Sequence, residues 1–207
     1  WLGHGDPVST GSTYAMLAQV LRQISGIVHG EAEEVQRAKL TQRLGMRLGV
    51  EARKHRLPFL GELCGIHWPE AEYPPLRAAR QDARMMSAQM AEAFIELLRV
   101  ESQAAPLLVV LEDLHWCDAL TIRLIDMALR ELAEQPLLVI GLARPEVESL
   151  FPRLWQDRHR QDIRLEGLAR KPSERLVRLM LGPSAPAEQV ARIIDQAAGN
   201  ALFLEEP

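Results

Sequence analysis

The chain has 207 residues, 47% hydrophobic and 25% charged, with a formal net charge of -4 and a pI near 5.9. That length supports one good core with a small extra subdomain, and the mildly acidic balance offers no global attraction to nucleic acid or acidic membrane surfaces. The sequence shows no apolar run of membrane-spanning length and no opening signal peptide, and its two cysteines, Cys64 and Cys117, make no disulfide framework and suit a reducing cytoplasm.

Residues 1–14, WLGHGDPVSTGSTY, are rich in Gly, Ser, Thr, Asp and Pro and read as a loop. Ser12 or Thr13 can cap a helix from Tyr14 to about Ser25, with Leu17, Val20, Leu21 and Ile24 as its apolar face. Residues 31–54 form a second, weakly periodic helical stretch, which Gly45 and Gly49 allow to divide in two. Pro58, Gly61, Gly65, Pro69, Pro74 and Pro75 mark an irregular surface connection. From residue 76 to about 100 there is neither Gly nor Pro. Ala83, Met86, Met90, Phe94 and Leu97 draw one apolar stripe along this long helix, opposite a solvated face of Arg84, Gln89, Glu92, Glu96 and Arg99. Met85 and Met86 read as core filler.

Five apolar residues in succession, Leu107, Leu108, Val109, Val110 and Leu111, then end in two acids, Glu112 and Asp113. Such a run fits a strand buried on both faces of a parallel sheet. Acids at its carboxyl end stand where open α/β sheets bind ligands. The succession matches the Walker B arrangement of P-loop nucleotidases, in which one acid helps hold Mg²⁺ and the next orients or activates water; the alternative reading is that the acids simply end a strand in solvent. Cys64 with His67, and His115 with Cys117, lack the spacing of a zinc knuckle and read as buried thiols and imidazoles.

Asp118 is placed to cap an amphipathic helix over residues 119–134, whose apolar face is Leu120, Leu124, Met127, Ala128 and Leu132. A second buried strand follows at residues 136–143, ending at Arg144-Pro145-Glu146. Strand, helix and strand make a right-handed βαβ crossover. The strand at 107–111 is expected to be central, beside 138–142, and neither is expected at an edge because both are apolar at successive positions. Residues 161–168 alternate weakly and are open to a third strand. Ser173 caps a helix to about Leu181, Pro186 opens another to Ala198, and Gly199-Asn200 stops it.

At LLVVLEDLHWCDALTIRLI the sequence resembles the AAA-like ATPase module of STAND-type signalling regulators. In bacteria that module occurs in multidomain serine/threonine kinases, in cyclase-linked proteins and in large LuxR-type activators. GDPVSTGSTYAML resembles the segment after the family's second strand, and ARMMSAQMAEAFIELLRVESQAAP the helix before its paired acids. GNALFLEE resembles GNPLFLEE in the family's helical lid. The resemblance implies an α/β fold: the parallel sheet of a P-loop NTPase core with flanking helices over residues 1–170, then the start of a helical lid over 171–207.

The resemblance also implies roles. Glu112 becomes the Mg²⁺-side acid, Asp113 the water-activating acid, and Arg144 a sensor near the γ-phosphate. Asn200 and Ala201 fall in the lid segment on the nucleotide side, Ala201 standing where relatives often carry proline. Trp116 and Asp118 are assigned to structure, as an aromatic packed under the loop and as a helix cap. ATP and Mg²⁺ are the implied ligands, and other domains of a parent protein the implied partners.

No G-x-x-x-x-G-K-[ST] motif occurs, and the three lysines, Lys39, Lys54 and Lys171, lie in no such motif. The chain starts at Trp1 rather than Met and is read as an excised piece, with the P-loop expected upstream. By itself it is expected not to hold or hydrolyse ATP, and an unpaired sheet edge is expected to make it self-associate. Two function classes follow: a nucleotide switch in a signalling or transcription regulator, or a degenerate interaction module of the same fold that never turns over ATP. The acidic pI argues against direct nucleic-acid handling.

Overall fold

The computed structural model describes residues 1–9 and 11–205; Thr10 of the expected opening loop and Glu206 of GNALFLEE lie outside them. The chain forms two compact units, Trp1–Arg160 and Gln161–Pro207, each with its own apolar core. Among the described residues no helix is long and apolar enough to cross a membrane.

In the first unit three strands, β1 (Leu2–His4), β2 (Leu107–Glu112) and β3 (Leu137–Gly141), form a parallel sheet in the order β1-β2-β3. The expected central position of β2 holds. Its second neighbour, β1, corrects the reading of residues 1–14 as loop throughout. Three residues are too short to carry a periodic signal, and they become a strand only because β2 offers its ladder, Leu2 pairing with Val110 and His4 with Glu112.

The helices follow in chain order. α1 (Ala15–Ile24) buries Leu17, Val20 and Leu21 as its periodicity predicts, but no side chain caps it: Tyr14, in the left-handed region, holds the position expected of Ser12 or Thr13. The stretch from residue 31 divides into α2 (Glu33–Leu40), a π turn (Thr41–Gly45) and α3 (Val50–Leu63). Here the expected irregular connection gives way to helix, for Pro58 and Gly61 lie inside α3 and are buried. Burying Leu57, Phe59, Leu60 and Leu63 contributes roughly 1.5–3 kcal/mol each, more than the ~3 kcal/mol that an interior proline costs. Gly61 leaves room for the Trp68 ring, which a Cβ would meet at 2.6 Å.

The expected long helix from residue 76 is two. α4 (Pro74–Arg80) stops, and Asp82 starts α5 (Ala83–Ala104) by accepting the Arg84 N–H at 2.9 Å. An Asp that can bond the backbone two residues ahead favours a cap over a continuing helix. Met90, Phe94 and Leu97 of the predicted stripe are buried, whereas Met85 is exposed and only Met86 packs on the core. Arg43 reaches the buried Glu101 of α5 at 2.6 Å, and Arg80 reaches Glu62 of α3 at 2.5 Å, so ion pairs lock the helical layer together. α6 (Ala119–Glu131) crosses from β2 to β3, and a short α7 (Val147–Leu150) follows.

These helices gather on one face of the sheet, where Gly3 meets Met16 and Val20 of α1, and Val109 and Leu111 are fully buried. The opposite face carries Leu108, Leu138, Ile140 and Leu142, all exposed. Two expectations are thereby corrected: β2 and β3 are covered on one face, and β3 is an edge strand. An apolar edge beside an apolar face is a template for association. Light scattering on the chain is expected to report a mass that rises with concentration, and Leu138→Lys with Ile140→Lys to return it to that of a single chain. A monomer at all concentrations would remove this expectation.

In the second unit α8 (Arg170–Leu181), α9 (Ala187–Ala197) and α10 (Ala201–Glu205) pack through Val177, Val190, Ile193, Ile194 and Leu204. Residues 161–168 form no strand, and Ile163 and Leu165 are exposed. α8 starts before the predicted cap Ser173, which is buried and bonds back to the carbonyls of Leu168 and Ala169. Pro172 fits in that first turn because N–H groups there lack helical partners anyway. Ala198 and Gly199, both left-handed, end α9 where predicted.

Candidate functional site

Parallel pairing brings the carboxyl ends of β1, β2 and β3 to one side of the sheet. There β2 delivers Glu112 and Asp113. Glu112 ends the ladder, its carbonyl accepting the Gly5 N–H at 2.8 Å, while Leu142 N–H bonds Leu111 O at 2.8 Å on the other flank. The chain then turns sharply. Asp113 adopts φ 51° and ψ 44°, a left-handed conformation that Asp tolerates better than most residues. Its carbonyl accepts the Trp116 N–H at 2.8 Å, closing the turn Leu114–Trp116. Gly5 makes this turn possible, since a Cβ there would lie 2.2 Å from Asp113 O.

The side chains take distinct positions. Glu112 Oε2 is 2.8 Å from His4 Nδ1, which leaves its second oxygen without that contact. The Asp113 carboxylate is 55% exposed. Arg144 follows β3 on the same side of the sheet, and its backbone N–H points to Nδ1 of the buried His115 at 3.4 Å. Its side chain is exposed. Glu112, Asp113 and Arg144 therefore share one sheet end. Asn200 and Ala201 lie in the second unit, where Asn200 Oδ1 accepts Leu202 N–H at 3.0 Å and caps α10, which Ala201 opens.

Among the described residues no group of three or more His, Cys, Asp or Glu side chains is arranged to hold a metal ion. Mg²⁺ asks for less: it is commonly held by one or two carboxylates, with waters and substrate phosphates completing the octahedron. The free oxygen of Glu112 is a hard donor that fits one such position. A phosphate cradle is another matter. Lys39 pairs with Glu31 and Gly26 O, and Lys54 with Glu51.

A family model described as AAA ATPase domain matches residues 2–140. The matched span runs from β1 into β3 and contains both acids. The chain belongs to the AAA ATPase domain family. Searches of curated proteins and of solved structures return no match.

Within this AAA ATPase domain, the neighbours His4, Gly5 and His115 of the two acids and Arg144 carry no signal in the sequence. The first two fall in the segment that reads as loop, and His115 reads as a buried imidazole. Trp116 is 37% exposed and its ring lies 5.1 Å from that of His115; with His4, Gly5, Asp6, Gln19 and Cys117 it lines a cavity of about 80 Å³. Burial, reinforced by the neighbouring Asp118 charge, pushes the Cys117 thiol up to about 12, so it stays protonated at neutral pH.

Asp118 is the cap that the sequence predicts. Its Oδ1 accepts the N–H groups of Leu120 and Thr121 at 3.1 and 3.0 Å, and Oδ2 accepts the Thr121 hydroxyl at 2.6 Å. Asp118→Ala is expected to cost about 1 kcal/mol of stability, read as a lower urea midpoint at unchanged slope.

Proposed function

We propose that this AAA ATPase domain is the ATP-binding and ATP-hydrolysing part of a nucleotide-dependent switch in a multidomain signalling or transcription regulator of the STAND type. The observation that carries the reading is a central parallel strand, β2, whose carboxyl end presents Glu112 and Asp113 beside the end of β3. In this reading Glu112 holds Mg²⁺, Asp113 orients or activates the attacking water, and Arg144 senses the γ-phosphate. Residues 171–207 begin the lid, with Asn200 and Ala201 on its nucleotide side, and lid movement passes the nucleotide state to the other domains of the regulator.

The 207 residues contain no G-x-x-x-x-G-K-[ST]. The phosphates therefore need a P-loop joined to this chain, because its backbone amides and Lys supply most of their binding. The same absence supports a second reading, a module that keeps the fold for interaction and never turns over ATP.

Asp113→Asn separates the two in a protein that joins this domain to a P-loop. Turnover is expected to fall about 100-fold or more, with ATP affinity nearly unchanged, because the amide keeps the shape but cannot serve as a base. Glu112→Gln is expected to weaken Mg²⁺-dependent binding instead. Hydrolysis at the parent rate in Asp113→Asn would exclude the assigned role, and a parent without turnover would select the interaction module.

A further inference from the structure

His115 is buried, yet its Nε2 has no hydrogen-bond partner among the described residues. A buried polar atom left unpaired destabilises the fold, a cost that a leucine of similar size would avoid. The other ring nitrogen is engaged: Nδ1 faces the Arg144 N–H at 3.4 Å. A nitrogen that accepts a hydrogen bond must present its lone pair, so in the neutral ring the proton sits on Nε2. Nε2 in turn lies 4.0 Å from Asp113 Oδ1. That gap is about 1 Å beyond a hydrogen bond, and the exposed Asp113 side chain is free to close it by rotation about its own bonds.

We propose that His115 is a positioning residue for Asp113, its Nε2–H directed at Oδ1 while its Nδ1 is held by the backbone of Arg144. The inference rests on the reading of Asp113 as the water-orienting acid. With Oδ1 directed toward the imidazole, Oδ2 is the oxygen left to face an attacking water. The contact also links the turn after β2 to the segment after β3. This is the arrangement by which outer-shell partners fix the orientation of working groups elsewhere.

The test is ¹⁵N imidazole NMR on the chain, with His115 assigned by the signals lost in His115→Gln. The expected result is the Nε2–H tautomer for His115, and a resolved shift of that Nε2–H signal in Asp113→Asn. His29, His55, His67 and His159 are expected to stay in place in that variant. Asp113 is exposed, so Asp113→Asn should fold and the comparison stays interpretable. An Nδ1–H tautomer would overturn the proposal, and so would an Nε2–H signal indifferent to Asp113→Asn. No nucleotide enters the measurement, so its outcome is separable from the turnover test of Asp113.

Discussion

Gly5→Ala is expected to cost the first unit about 3 kcal/mol and to displace the paired acids. The added Cβ would lie 2.2 Å from Asp113 O and 3.0 Å from both Asp113 C and Trp116 Cβ. Two of these three atoms are backbone, so no side-chain rotation relieves the contact. Either β1 withdraws from β2, breaking the 2.8 Å Gly5 N–H to Glu112 O bond, or the Asp113 turn moves outward. Both routes separate His4 from Glu112 and shift the left-handed turn that aims Asp113. Urea denaturation of the chain reads the stability loss. A midpoint unchanged in Gly5→Ala would mean that this approach is looser than 2.2 Å implies.

Phe94→Ala is expected to be more damaging still, at about 3–5 kcal/mol. Phe94 is 1% exposed and sits mid-way along α5, among the residues of the larger core. Removing the ring leaves a cavity that the neighbouring helices, tied by the Arg43–Glu101 and Arg80–Glu62 pairs, cannot readily collapse into. Against a typical stability of 5–15 kcal/mol, that loss populates unfolded chains measurably. Glu92→Ala, two residues away on the solvated face and paired with Arg56, is the control and should cost less than about 1 kcal/mol. Equal effects from the two variants would mean that α5 does not present the face described.

The features legible from residues alone are those whose physics is local. Five apolar residues ending in Glu112-Asp113 fit a strand, because a run this short is too brief for a helix of ordinary length, although only alternate residues, Val109 and Leu111, are fully buried. Asp118 specifies the start of α6 because its carboxylate bonds N–H groups two and three residues ahead. The stripe from Met90 to Leu97 follows from 3.6 residues per turn. Pro58 misled for the opposite reason. Its local cost is real, and only the buried neighbours Leu57, Phe59 and Leu60 outweigh it.

The acids were likewise legible, and their setting was not. By itself the sequence determined β2, α6 and β3, the capping of α6, and the two carboxylates at the strand's end, since each depends on residues within a few positions of one another. Only the tertiary structure decided that Leu2–His4 is a strand, that His4 meets Glu112, and that Gly5 braces Asp113. It alone also decided that Arg144 is joined to His115 and that β3 is an edge. Those contacts arise from strand register and chain crossings between segments such as Trp1 and Leu108, 107 positions apart. No periodicity within either segment encodes where the other will lie.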